Sequence, residues 1–159
     1  MYSQKMTRKL LQFAPNASKA LQVAARSQHI CRWKIGRKEY PMDRIGYLKW
    51  REELKKMHAR LTVEILEQVG FENQFIESVE KIILKKLIKK SEESQTLEDI
   101  ICLVFLEYYF DEFTTKHTDE KIINILKKTW FKMSDKGHNA ALNISFSDKN
   151  LALVKQAIS

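Results

Sequence analysis

The 159-residue chain predicts an all-α fold, a single compact multi-helix domain over residues 1–159, and three observations carry that prediction. Glycine occurs four times and proline twice while Leu, Ile, Lys and Glu are abundant, which favours helices over a turn-rich β fold. Apolar residues recur at three- and four-residue spacing in one stretch after another, the period of a buried helical face. No repeat, low-complexity linker or shift in composition marks a second domain, and a chain of this length buries roughly two thirds of the surface it exposes unfolded.

Residues 4–13 form a first short helix, ended by Pro15-Asn16, and Asn16 or Ser18 caps a second that runs to about Trp33. On the second, Ala17, Ala20, Leu21, Ala24 and Cys31 share a small-residue face for close packing, while Gln22, Arg26, His29, Arg32 and Trp33 lie toward the other side. His29 therefore meets solvent or a second, polar wall. Lys34 to Asp43 contains Gly36 and the Tyr40-Pro41 pair and is predicted to be a loop, whose cations Lys34, Arg37 and Lys38 suit it to cover an anion. From about Arg44 a long helix runs to Val69, with Gly70 as its stop. Its stripe is Tyr47, Trp50, Leu54, Met57, Leu61 and Ile65; His58 lies inside it and Arg51 beside it, so His58 is predicted buried.

Residues 72–89 repeat the pattern with Phe75, Ile76, Val79, Ile82, Ile83 and Leu87, and Lys86 interrupts that face, snorkelling to its edge or meeting a carboxylate or phosphate. After a polar turn at Lys90 to Ser94, residues 95–113 are apolar nearly all round and form the central helix. Asp99 falls on its buried side, where an unpaired carboxylate is expensive, and so calls for an arginine, Lys86 or a metal; Glu98 points to solvent. His117-Thr118-Asp119 caps a helix to about Met133, with Ile122, Ile125, Leu126, Thr129, Trp130 and Met133 inward. Lys121, Lys128 and Lys132 line its outside, a solvated face first and a phosphate contact second. Ser134 to His138 turns the chain, Ala140 to Ile144 adds a helical turn, and Ser147 or Asp148 caps a final short helix.

Several function classes drop out. The two cysteines, Cys31 and Cys102, sit inside helical patterns, the usage of free thiols in a reducing compartment, and point to the cytoplasm. The longest apolar run, Ile100 to Leu106, falls far short of the roughly 20 residues that span a bilayer, so no membrane partner is expected. A Gly-rich phosphate loop, His-Glu-x-x-His, a Cys-x-x-Cys pair and a Gly-x-Ser-x-Gly elbow are all missing. Lys132-Met133-Ser134-Asp135-Lys136 is similar to a signature loop of class I aminoacyl-tRNA synthetases, but that chemistry needs a nucleotide-binding α/β domain that the pattern lacks. The net charge of +8 is uneven: residues 1–60 hold 15 Lys/Arg against 4 Asp/Glu, residues 61–120 hold 6 against 14, and residues 121–159 hold 7 against 2. A cationic surface beside an acidic one suits a polyanionic ligand, or else the halves pair within the molecule.

Four polar residues, His29, His58, Lys86 and Asp99, come from different helices and could converge on one pocket. Imidazole and carboxylate are donors that a divalent Mn, Fe or Zn accepts, and Arg32, Arg37, Arg44 and Arg51 are placed to orient a phosphate. The competing reading makes His58 a satisfied core histidine, Asp99 half of a buried ion pair and His29 a surface residue.

The blocks AARSQHICRW, YPMDRIGYLKWREELKKMHA, QTLEDIICLVFLEYYF and KTWFKMS closely resemble the signature segments of a family catalogued as a domain of unknown function. Members usually carry a further segment ahead of the YSQKM stretch, so the resemblance implies an N-terminal element before it. The order of polar positions is also similar to the HD superfamily of metal-dependent phosphohydrolases, which are all-α. His29 is similar to its first histidine, His58 to a later site histidine, Ile83-x-x-Lys86 to an Ile-x-x-His element and Leu97-Glu98-Asp99 to the segment with the last aspartate. Ala59 stands where that pattern pairs an aspartate with the histidine, and Lys86 where it has a histidine. The resemblance implies an HD-like helical bundle that hydrolyses a phosphorylated small molecule or nucleotide. His29, His58 and Asp99 would hold one metal, His58 and Asp99 would be catalytic, and Arg32, Arg37, Arg44, Arg51 and Lys86 would bind substrate. The alternative is a catalytically silent phosphate- or RNA-binding domain on the same scaffold.

Overall fold

The structure, a computed structural model, describes residues 1–86 and 91–159. Among these residues the helices are α1 (Tyr2–Phe13), α2 (Lys19–Arg26), α3 (Arg44–Val69), α4 (Asn73–Leu84), α5 (Glu92–Tyr108), α6 (Phe110–Thr115), α7 (Asp119–Lys132), α8 (Asp135–Leu142) and α9 (Asp148–Ile158). Two 3₁₀ turns, Arg32–Lys34 and Arg37–Glu39, lie between α2 and α3, and the described residues contain no strand. Short polar side chains start most of the helices. Ser18, Asp43, Ser91, Thr118, Ser134 and Ser147 each accept a first-turn backbone N–H, which satisfies one of the donors a helix leaves free at its start. Gly70, at φ 92°, ends α3 in the left-handed conformation that glycine adopts without strain.

α5 runs through the centre, with Leu97, Ile100, Leu103, Val104 and Leu106 buried, and one apolar cluster ties it to residues of every other helix. α1 packs on α2 and α5, α3 on α4, α7 on α9 and α8 on α5. A second, smaller cluster of Trp50, Leu54 and Met57 lies under loop residues Ile35 and Tyr40. His58 stands between the two, because Met57 belongs to the smaller cluster and Ala59 to the larger.

The helical assignment holds while several boundaries move. α2 stops at Arg26 and does not reach Trp33: the Ser27 hydroxyl donates to the Val23 carbonyl, and the chain then turns through His29 at φ 64° and Cys31 at φ 50°. The predicted helix 95–113 divides at Tyr109 into α5 and α6. Ser134 does not open a turn but caps α8. α4 ends at Leu84, so Lys86 lies past its end, exposed, and not on its apolar face; Leu87 and Lys90 fall outside the described residues. Tyr47 and Ile65, predicted on the inward stripe of α3, are exposed at 42% and 47%. Both cysteines are free thiols, and no described helix is long and apolar enough to cross a membrane.

Candidate functional site

The irregular turn after α2 brings His29 to His58. His29 takes a left-handed φ of 64°, which costs a residue with a Cβ on the order of 1 kcal/mol or more and needs surrounding contacts to hold it. Those contacts are present: its ring stacks on Tyr2 of α1 at 4.1 Å and lies 6.1 Å from the His58 ring. Arg32 Nη1 donates to His29 Nε2 over 3.0 Å. Arginine has no acceptor to offer, so His29 Nε2 carries the lone pair and its ring proton sits on Nδ1. His58 is only 6% exposed, and its Nε2 is the described buried side-chain polar atom without a hydrogen-bond partner.

The guanidiniums of Arg32 and Arg51 complete the cluster. Arg32 lies 4.7 Å from the face of Trp50, whose Nε1 donates to the Ile35 carbonyl over 3.0 Å, so the indole is a fixed platform for the cation. Arg51, exposed on α3, donates to the Tyr47 hydroxyl over 3.3 Å. Among the described residues neither arginine forms an ion pair with a carboxylate. The charge is therefore uncompensated, and it acts on both imidazoles. Burial, then Arg32, His58 and Arg51, holds His29 down to about 3; burial, then Arg32 and Arg51, holds His58 down to about 4. Burial and then Arg51 lower Arg32, and burial and then Tyr109 push the Tyr2 phenol up to about 12. At neutral pH the cluster thus consists of two neutral imidazoles, one neutral phenol and two cations.

The remaining predicted residues go elsewhere. Arg37 spends its guanidinium on its own loop, donating to the carbonyls of Tyr40 (3.2 Å), Pro41 (2.8 Å) and Asp43 (3.3 Å). Arg44 is the exposed first residue of α3, and Lys86 is exposed beyond α4. Asp99 is 1% exposed and needs no cation: one oxygen accepts from the Ser134 N–H (2.8 Å) and Gln95 Nε2 (3.1 Å), the other from the Ser134 hydroxyl (2.5 Å). It locks α8 against α5 and shares no partner with the histidines. Glu98, expected at solvent, pairs with Lys85 at 2.8 Å and reaches Lys132 at 4.0 Å. Lys121 and Lys128 lie exposed on α7, as a solvated face would.

Tyr2 is the site residue that the sequence pattern misses. Its position follows from α1 lying along α5, a tertiary fact that helical spacing does not contain, although an aromatic at the start of an amphipathic helix is a usable hint.

The donors present do not fit a divalent metal. His29 Nε2 is engaged by Arg32, Asp99 is spent on Ser134 and Gln95, and the described residues contain no group of three or more His, Cys, Asp or Glu placed to hold an ion. A cation entering between His29 and His58 would also meet two unpaired guanidiniums. The same field favours an anion.

No curated protein and no solved structure matches the chain. A family model does match, over residues 1–154, and its description is a domain of unknown function, DUF4202. The four quoted blocks all lie inside that match, and the chain belongs to the DUF4202 family.

Proposed function

We propose that the chain binds a phosphorylated small molecule or nucleotide at the cluster of His29, Arg32, Arg51 and His58, without a metal. The observation that carries this reading is the pair of uncompensated guanidiniums beside a buried imidazole whose Nε2 has no partner. Buried polar atoms are nearly always satisfied, and a phosphate meets all three groups: its oxygens accept from the two guanidiniums that lack carboxylates, and a P–OH of the same group donates to an unprotonated His58 Nε2. Arg32 already leans on Trp50 and His29, so turning it toward a phosphate costs little ordering. Of the two functions the sequence suggests, this supports phosphate binding over HD-type metal hydrolysis, which requires the Asp99 ligand that α8 occupies.

Titration calorimetry with inorganic pyrophosphate and with a nucleoside monophosphate tests it. Arg32→Gln and Arg51→Gln should each weaken binding by about tenfold or more, since a charge-assisted contact contributes roughly 1.5–3 kcal/mol. Binding unchanged in both variants, or stoichiometric Mn, Fe or Zn in the purified chain that is lost in His58→Ala, overturns it. Tight binding of RNA oligomers with none of the mononucleotide would move the ligand to RNA.

A further inference from the structure

Resting on the phosphate-binding reading, we infer that His58 is a phosphoacceptor: its Nε2 takes the phosphoryl group of the bound ligand and forms a phosphohistidine. A histidine nucleophile needs a lone pair that is neither protonated nor engaged, together with cations to neutralise the phosphoryl oxygens. The chain supplies each in one place. His58 Nε2 has no partner, whereas the second imidazole of the cluster, His29, already gives its Nε2 lone pair to Arg32 at 3.0 Å. Burial and then Arg32 and Arg51 keep the ring neutral at physiological pH, so one of its two nitrogens carries a lone pair, and we take this to be the partnerless Nε2, with the proton on Nδ1. Tyr2 cannot compete as nucleophile while its phenol stays protonated.

Access is the second requirement, since His58 is only 6% exposed. Arg32 is the stronger of the two cationic influences on His58, and it projects from a three-residue 3₁₀ turn entered through His29 and Cys31, both left-handed. Access to His58 thus calls for movement of this turn, and a phosphate that draws Arg32 off His29 gains a guanidinium as the turn shifts. In the step itself, the Nε2 lone pair forms the N–P bond as the bond from phosphorus to the leaving oxygen breaks. That oxygen keeps the electron pair and takes a proton from water, and the Nδ1 proton of the phosphorylated ring passes to the solvent in its place. Water then attacks phosphorus, the N–P pair returns to Nε2, a proton from that water restores Nδ1–H and inorganic phosphate departs, so the sum is hydrolysis of a phosphomonoester.

The test uses phosphoramidate, a metal-independent phosphoryl donor whose leaving group is ammonia, on the intact chain, with the modified residues mapped by mass spectrometry under basic conditions. The chain carries its own controls. His117 and His138 are both less buried than His58, so uncatalysed labelling follows exposure and reaches them first. We expect acid-labile, base-stable phosphate on His58, formed about tenfold or more faster than on His117 or His138. Arg32→Gln should abolish that preference and leave the other two rates unchanged. Labelling that ranks with exposure overturns the inference. If calorimetry still detects pyrophosphate, the binding reading survives that result; if pyrophosphate does not bind either, both fall.

Discussion

His29 and His58 link the site to the stability of the fold. Both are neutral in the native chain, at about 3 and about 4, against 6.5 for an ordinary histidine, so between those values the unfolded chain binds more protons. Their contribution is complete above the ordinary value and is lost as pH falls from about 6.5 toward 4. The urea midpoint should therefore drop between pH 7 and pH 5.5, before carboxylates titrate, and should drop less in the double variant His29→Asn/His58→Gln. Asp99 offers a second test at this scale. In Asp99→Asn one acceptor becomes an amide facing a Ser134 donor, which should cost about 1–3 kcal/mol in urea unfolding and leave pyrophosphate binding intact. Sequence patterning identified both residues as buried, since His58 lies within an apolar stripe and Asp99 on a nearly all-apolar helix. It could not show which neutral donors answer Asp99, because Ser134 lies 35 residues away and only the packing of α8 on α5 brings it there.

Local signals made several elements legible but not all: Ser91 and Ser134, which cap α5 and α8, read in the sequence as parts of turns, so α5 starts at Glu92 and not at 95. Gly70 as stop of α3, and Thr118 and Ser147 at the starts of α7 and α9, were legible because each acts on its own first or last turn. The end of α2 carries no glycine or proline, and its turn is held by contacts of His29 with Tyr2 and Arg32 that local propensity does not encode. The division at Tyr109 is of the same kind, with no glycine or proline to mark it. The entry to α3 gives the prediction at this scale. A Cβ on Gly46 would lie 2.0 Å from the Pro41 carbonyl oxygen, and Pro41 is one of the three carbonyls that Arg37 gathers. Gly46→Ala must push the loop off the helix, and we expect a loss of about 1–3 kcal/mol, read by urea unfolding, with Arg37→Ala adding less in that background than in the parent.

Across the whole molecule, the cations of residues 1–60 are only sparsely consumed by the acidic middle of the chain. Lys9 pairs with Glu107 and Arg60 with Glu64, whereas Lys55 and Lys56 pair with Glu52 and Glu53 inside the same basic stretch. The charge asymmetry visible in the sequence therefore survives folding. Pyrophosphate at a hundredfold excess over its dissociation constant should stabilise the chain by about 2.7 kcal/mol, and an Arg32→Gln/Arg51→Gln variant should gain far less at the same concentration. The latch between α5 and α8 has one more consequence, in time. The N–H that precedes a helix ordinarily trades its hydrogen with water quickly, but that of Ser134 is held by a carboxylate 1% exposed. Its deuterium uptake becomes a clock for the parting of these two helices, slow at one amide among fast neighbours and as quick as theirs once Asp99 is replaced by alanine.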